Sequence, residues 1–253
     1  MKFYENENIT IYNADILDPQ LFNEAFIDLI VTSPPYNVDL VYDKSSDDMS
    51  YEEYLEFSAR WLTNVLCWSK EGARLCLNIP LDKNRGGLQP VYADLVRIAK
   101  EVGWRYQSTI VWAEKNISKR TAWGSWMSAS APYVIAPVEM IALFYKKQWK
   151  KPYKGKSDIT KEEFMAWTNG LWEFNGESKK RIGHPAPFPR ELPRRCIKLF
   201  SYVGDLVFDP FMGSGTTLIE AVLHERKAVG VDISPNYCEL AKKRIQKELQ
   251  LFV

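Results

Sequence analysis

Apolar residues recur along the chain in short runs separated by amphipathic stretches. Ile9–Tyr12 and Phe26–Thr32 read as strands, each ending in a polar or proline-rich turn. From Tyr51 to about Trp68 the apolar positions fall at helical spacing. Ser50 stands where an N-cap belongs, and Glu53 follows three residues later, as in a capping box. Ala73–Ile79 reads as a buried strand, Val91–Val102 as a helix, and Ser108–Trp112 and Val138–Tyr145 as strands. From Lys146 to Pro193 the texture changes to Lys, Pro, Gly and Trp with little periodicity, as expected of an insertion or a loosely structured subdomain. Regular pattern returns with a helix at about Leu192–Ser201, a strand at Asp205–Asp209, a helix at Thr216–Glu225, a strand at Lys227–Asp232 and a helix from Ser234 to about Gln250. Strands alternating with helices predict an α/β fold, its sheet mostly parallel and covered on both faces. The expected organisation is one domain in two parts, 1–145 and 186–253, around an insertion at 146–185.

Composition narrows the class without choosing a function. With 253 residues, 46% hydrophobic and 26% charged, the chain fits one soluble domain with an insertion. The formal net charge is +1, so any polyanion-binding surface must be a local patch balanced by acid elsewhere. Aromatics at 13% suit a rich core and also base stacking, and composition does not separate the two. Cys67, Cys76, Cys196 and Cys238 form no C-x-x-C pair, and His184 and His224 are far apart, so no metal site is expected. The N-terminus lacks the apolar run of a signal peptide, and no stretch suits a membrane span.

The strongest local signal is Val207-Phe208-Asp209-Pro210-Phe211-Met212-Gly213-Ser214-Gly215-Thr216-Thr217. A strand enters a tight glycine turn and leaves as a helix. Glycines allow close backbone approach, and a helix start offers free N–H groups to an anion. Leu218 stands where a dinucleotide fingerprint wants its third glycine, and no lysine completes a P-loop. The carboxylate of S-adenosylmethionine fits this short loop, with Asp209 facing the ammonium group. Asp232 ends the next strand and suits ribose hydroxyls; its other reading is a cap for the helix at Ser234. This unit lies at the end of the chain, so residues 9–36 should supply the neighbouring strands of a circularly permuted sheet. Asp15 and Ile16 then fall near an adenine pocket, although Asp15 reads almost as well as a simple turn residue.

A second signal is Thr32-Ser33-Pro34-Pro35-Tyr36-Asn37, a stiff turn after an apolar strand. Its prolines lack N–H groups and leave carbonyls unpaired. Taken with the glycine loop, Phe208-Asp209-Pro210-Phe211-x-Gly213-x-Gly215, this turn resembles the DNA amino-methyltransferase family. The order, tetrapeptide first and loop last, is similar to that family's β class. His184-Pro185-Ala186-Pro187-Phe188-Pro189-Arg190-Glu191-Leu192-Pro193 is similar to the segment before the loop. The resemblance implies a circularly permuted Rossmann-like methyltransferase fold and S-adenosylmethionine as cofactor, with no metal. It implies cofactor contacts at Asp15, Phe188, Asp209, Phe211, Gly213, Gly215 and Asp232, with Ile16, Pro210, Ser214, Thr216 and Ile233 in the same candidate set. The catalytic set is Ser33, Pro34 and Tyr36, with Pro35 in the same turn.

The implied chemistry is methylation of an exocyclic amine. Such an amine is a poor nucleophile because its lone pair is delocalised into the ring. The Ser33 hydroxyl and the Pro34 carbonyl can draw its hydrogens out of the ring plane, while Tyr36 stacks on the base. Alignment of this kind contributes about 7–11 kcal/mol to lowering a barrier. In the family, Ser at the first position is commoner for cytosine-N4 and Asp for adenine-N6, so cytosine is favoured. Carbon-5 methylation needs a cysteine nucleophile, usually after proline, and no Pro-Cys occurs.

A base within a duplex must be flipped to reach such a pocket. Lys146, Lys147, Lys150, Lys151, Lys154 and Lys156, interleaved with Trp149 and Tyr153, are the candidate DNA contacts, and a plain solvated charge run fits nearly as well. Lys179, Lys180 and Arg181 extend them. Lys115, Lys119 and Arg120, near Trp123 and Trp126, form a second candidate face, and the 146–185 insertion is the candidate target-recognition element. Asn37–Met49 reads as a mobile lid or as a plain linker. RNA or protein-amide acceptors and a catalytically silent DNA-binding module are the competing functions. The resemblance further implies a cytoplasmic, nucleoid-associated protein of a bacterium, archaeon or phage, with a homodimer and a cognate restriction endonuclease among its partners.

Overall fold

The computed structural model describes residues 1–36, 49–82, 88–114, 124–132, 134, 137–177 and 189–250. Nine strands form one sheet: β1 (Lys2–Glu5), β2 (Ile9–Asn13), β3 (Ile27–Thr32), β4 (Ser69–Pro80), β5 (Arg105–Glu114), β6 (Val138–Tyr145), β7 (Leu171–Phe174), β8 (Leu206–Asp209) and β9 (Lys227–Asp232). Their spatial order is β1-β2-β9-β8-β3-β4-β6-β5-β7. Pairing is parallel from β2 through β9, β8 and β3 to β4, and antiparallel where β6 joins β4 and β5. The C-terminal β8–β9 pair therefore sits between two N-terminal strands, β2 and β3. This is the permuted arrangement expected from the position of the glycine loop.

The strand β3, Ile-Asp-Leu-Ile-Val-Thr, is buried along its whole length, as a central parallel strand should be. Leu29 and Val31 face one core layer, and Ile30 faces the other. On the Ile30 side lie α1 (Tyr51–Trp68) and α2 (Val91–Glu101). The α1 helix buries Tyr54, Ser58, Trp61, Leu62, Val65 and Trp68, a stripe at helical spacing. Its expected capping box is present: Ser50 Oγ accepts the Glu53 N–H at 3.2 Å, and Glu53 accepts the Ser50 N–H at 2.8 Å. The Leu29 side is covered by α4 (Glu191–Phe200), α5 (Thr216–Leu223) and α6 (Pro235–Gln250).

Residues 146–177 carry more order than their composition predicts. They include α3 (Lys161–Trp167), with its own Thr160–Glu163 capping box, and β7, which extends the sheet beside β5. Trp172 is buried and donates its indole N–H to the Trp167 carbonyl at 2.9 Å. At the other edge, β1 folds back on β2 through Asn6, whose side chain accepts the N–H groups of Asn8 and Ile9.

The lysine run is placed differently from its expected role. Because β6 runs antiparallel to β4, Tyr145 pairs with Arg74, midway along β4, and the chain leaves the sheet toward the N-terminal end of the parallel strands. Thr32 and the turn after it lie at the other end, roughly 10 Å of strand beyond the level of Arg74 and Leu29. Lys146 donates to the carbonyls of Leu66 and Ser69, which close the C-terminus of α1. Lys147 pairs with Glu71. Lys151 is only 3% exposed in its side chain and pairs with Asp205 at 3.1 Å. Tyr153 donates within the same cluster, toward Asp28 and Asp205 at 3.0 and 2.8 Å. Lys150, Lys154 and Lys156 are exposed, but on this same stretch. Lys146 and Lys151 therefore fasten strand starts, and the run as a whole does not border the catalytic turn.

A buried ammonium without its carboxylate is strongly unfavourable. Asp205→Ala is expected to lower the unfolding free energy by about 3–5 kcal/mol in urea at pH 7. Lys150→Ala should change it by no more than about 0.5 kcal/mol.

Candidate active site

At the C-terminal end of β8 the chain enters Pro210–Gly215 and leaves as α5. Gly213 and Gly215 have φ of 49° and 77°, a region that disfavours side chains. Gly215 caps α5, and a Cβ there would meet the Ala241 Cβ at 3.0 Å, so α6 packs against the loop. Arg244 on α6 donates to the Ser214 carbonyl at 2.7 Å and the Thr216 hydroxyl at 3.2 Å. These two positions are thus tied to α6.

Asp232 makes the helix-cap contact that was one of its two readings, and a second contact to the glycine loop. Its Oδ1 accepts the Ser234 N–H at 2.8 Å, at the start of α6, and its Oδ2 accepts the Gly213 N–H at 3.0 Å. The carboxylate thereby holds the loop beside the end of β9. Ile233 next to it is half-exposed. Asp15 is exposed and accepts the Leu17 N–H at 2.9 Å, the geometry of a turn. Ile16 is buried in the core beside α1. Phe211 is half-buried, edge-on to Trp61 at 5.3 Å and near Phe57 at 6.0 Å. Phe188, the basic residues Lys179, Lys180, Arg181, Lys115, Lys119 and Arg120, Trp123, and positions 37–48 of the proposed lid lie outside the described residues.

The central junction is between β3 and β8. The Thr32 hydroxyl donates to Asp209 Oδ1 at 2.8 Å, and the Phe211 N–H donates to the same oxygen at 3.1 Å. The Thr217 hydroxyl, on the first turn of α5, reaches the Val31 carbonyl at 3.4 Å. The two sequence signals, more than 170 residues apart, therefore share one wall. Asp209 is 1% exposed, and its Oδ2 has no hydrogen-bond partner among the described residues. Burial pushes its pKa up to about 6, against the opposing pull of the Thr217 and Thr32 hydroxyls and the Phe211 N–H.

Ser33 begins the proline turn. Its Oγ lies 2.6 Å from the Tyr36 hydroxyl, which lies 2.9 Å from Glu139 Oε2 on β6. Asn78, on β4, donates its amide to Glu139 at 2.5 Å and to the Tyr36 oxygen at 3.0 Å. Asn78 and Glu139 were not among the site residues expected from sequence. Part of the signal was there: Glu139 is the one charged residue in the apolar strand Val138–Tyr145, and Asn78 interrupts the apolar run Leu75–Ile79; such buried groups need a partner. Burial, with the charge of Glu139 adding to it, raises the Tyr36 phenol well above its ordinary pKa of 10.0. Among the described residues no three His, Cys, Asp or Glu side chains converge on a metal-sized position. No helix among them is long and apolar enough to cross a membrane.

The profile of the N6/N4 DNA methylase family matches residues 27–243, which include both halves of this junction. The chain belongs to that family. It is a DNA methyltransferase of the kind directed at exocyclic amines. It is 63% identical over 174 residues to the type II methyltransferase M.MjaVI of Methanocaldococcus jannaschii, covering 69% of this chain and 89% of that one. TTHA0409 of Thermus thermophilus, solved in complex with S-adenosyl-L-methionine, superposes with a TM-score of 0.74 at 30% identity, over 94% of this chain and 93% of that one. The PvuII DNA methyltransferase, cytosine-N4-specific, shares the fold with a TM-score of 0.72 at 23% identity, over 96% and 91% of the two chains.

The raised pKa of Asp209 has a consequence for stability. The unfolded chain releases this proton near 3.8, and the folded chain keeps it until about 6. Across that window the folded state holds the extra proton, so stability falls as pH rises, by roughly 3 kcal/mol in total. Asp209→Asn lacks the titration. Urea unfolding of both proteins from pH 4 to 7 should show the balance moving toward the variant by about that amount.

Proposed function

We propose that this methyltransferase moves the methyl group of S-adenosylmethionine to the exocyclic amine of a base flipped from duplex DNA, with cytosine-N4 favoured over adenine-N6. The reading rests on one observation above the rest. The 2.8 Å Thr32–Asp209 hydrogen bond sets the Ser33–Tyr36 turn directly against the glycine loop. A methyl donor held by the loop and an amine held by the turn then meet without a long transfer.

The residues fit the cofactor. Asp209 Oδ2 is a buried carboxylate oxygen without a partner among the described residues, a suitable seat for the ammonium group. Asp232 lies beside Gly213 at the neighbouring strand end, where ribose hydroxyls would bind. Phe211, with Phe57 and Trp61 behind it, offers an apolar wall for the adenine. Bound there, S-adenosylmethionine supplies an electrophilic methyl carbon. On the chain's side, Ser33 Oγ and the Pro34 carbonyl orient the amine, and the Tyr36 ring packs against the base. Ser rather than Asp at position 33 is the basis for favouring cytosine.

DNA should approach at the C-terminal end of the parallel strands, because the turn opens there. The connection between β5 and β6 belongs to that end. Within it Gly124 bridges to Pro132, and Trp126 and Met127 at the intervening turn are 80% and 90% exposed. Exposed aromatic and thioether groups on such a turn suit contact with bases. The kinship with a type II methyltransferase supports a protective role alongside a cognate restriction endonuclease.

Mass spectrometry of nucleosides from DNA of cells expressing the protein is expected to show N4-methylcytosine. N6-methyladenine would reassign the base. Labelling of RNA or protein alone would refute the DNA reading. If Asp209 faces the cofactor ammonium, affinity by calorimetry should rise with pH through about 6, and Asp209→Asn should flatten that dependence.

A further inference from the structure

The Tyr36 hydroxyl has one proton and four close contacts, the longest to the Asn78 backbone carbonyl at 3.3 Å, and their chemistry fixes its direction. Glu139 Oε2, at 2.9 Å, is the site where two donors converge, since the Asn78 amide reaches it at 2.5 Å. A carboxylate oxygen is the strongest acceptor in the group, so Tyr36 donates to it. The Tyr36 oxygen then accepts from the Asn78 amide at 3.0 Å and from Ser33 Oγ at 2.6 Å. Ser33 thus turns its own proton inward, toward Tyr36. Both lone pairs of Ser33 Oγ are left to accept from an amine outside the turn. The orientation of Asn78 agrees with this polarity: its NH₂ faces Glu139, while its buried Oδ1 has no hydrogen-bond partner among the described residues.

We propose that Glu139 is the terminal proton acceptor for methyl transfer, working through a Tyr36–Ser33 hydroxyl relay, and that it sets the acceptor polarity of Ser33 beforehand. The inference rests on the amine-methylation reading above. When the N–C bond forms and the S–C bond breaks, the amine nitrogen becomes strongly acidic. Its N–H bond then breaks, leaving the electron pair on nitrogen, and the proton forms a new O–H bond on Ser33. Ser33 passes its original proton to Tyr36, and Tyr36 passes its own to Glu139. The products are the methylated neutral amine, S-adenosylhomocysteine and a protonated Glu139, which returns its proton to solvent after turnover. The raised pKa of Tyr36 suits this order, because the phenol stays protonated between turnovers. Glu139 acts through Tyr36 and not on the base itself.

Glu139→Gln separates this role from simple support. A Gln carbonyl still accepts from Tyr36 and Asn78, so it preserves a purely structural anchor, but it does not take up a proton at neutral pH. Single-turnover methylation at saturating S-adenosylmethionine and duplex DNA should slow by at least ~100-fold in Glu139→Gln. Dissociation constants for cofactor and DNA should stay within about threefold, which also reports a folded chain. Tyr36→Phe keeps the ring and removes the middle hydroxyl, and it should slow the same step comparably. Because both variants interrupt one relay, the double variant should be no more than about threefold slower than the slower single. A Glu139→Gln rate within about threefold of wild type overturns the relay. So does full activity in Tyr36→Phe, or multiplication of the two losses in the double variant. Wild-type protein that transfers no methyl group to DNA sinks the function and the relay together, whereas an active wild type with an active Glu139→Gln sinks the relay alone.

Discussion

A single buried contact, Thr32 to Asp209, joins the two parts of the chain on which the proposed chemistry depends. Thr32 is the last residue of a strand from the start of the chain, and Asp209 is the last residue of a strand near its end. Hydrogen bonds to charged groups contribute about 1.5–3 kcal/mol each, and this one also fixes a distance. The residues on either side of it belong to different tasks. Ser33 begins the turn proposed to orient the acceptor, and Pro210 begins the loop proposed to hold the donor. Buried side chains in a close-packed interior move little, so the relative placement of the two tasks is set by the fold itself.

The sheet divides its polar investments between two ends. At the strand starts, Asp28, Asp205, Lys151 and Tyr153 form a mutually satisfied cluster that binds the loop after β6 to β3 and β8. At the strand ends, Asp209, Asn78 and Glu139 are buried or half-buried too, but Asp209 and Asn78 keep acceptor atoms without hydrogen-bond partners among the described residues. Buried acceptors left in that condition cost stability, and in enzymes they collect where a substrate will meet them.

Much of this was legible in the chain. The capping box at Ser50 and Glu53, the alternation of strands and helices, and the strand–glycine–helix unit at 206–223 have local causes, and they appear where local chemistry puts them. The permuted sheet followed from a single fact, that the glycine loop comes last. Other features depend on relations that no short window holds. The edge strands β1 and β7 are four residues each and mostly exposed or half-buried, so no apolar run marks them as it marks the equally short but buried β8. The helix α3 had a readable capping box at Thr160 and Glu163, masked by its Lys- and Trp-rich surroundings. The position of the lysine run could not be read because it depends on the direction of β6. An antiparallel strand delivers the chain to the floor of the sheet, and residue identity alone does not reveal direction. Asn78 and Glu139 were passed over for a similar reason, since their significance arises from a meeting across two strands.

The nesting of β8 and β9 between β2 and β3 also bears on how the protein is made. During synthesis β2 and β3 leave the ribosome with their central partners still untranslated. Each waits with an unsatisfied edge until about residue 232 has emerged. Pairings of such long sequence separation fold slowly, and waiting edges invite mispairing with other chains. Closure of this sheet is therefore a late event, in which β8 and β9 slot into a gap that β2 and β3 have held open.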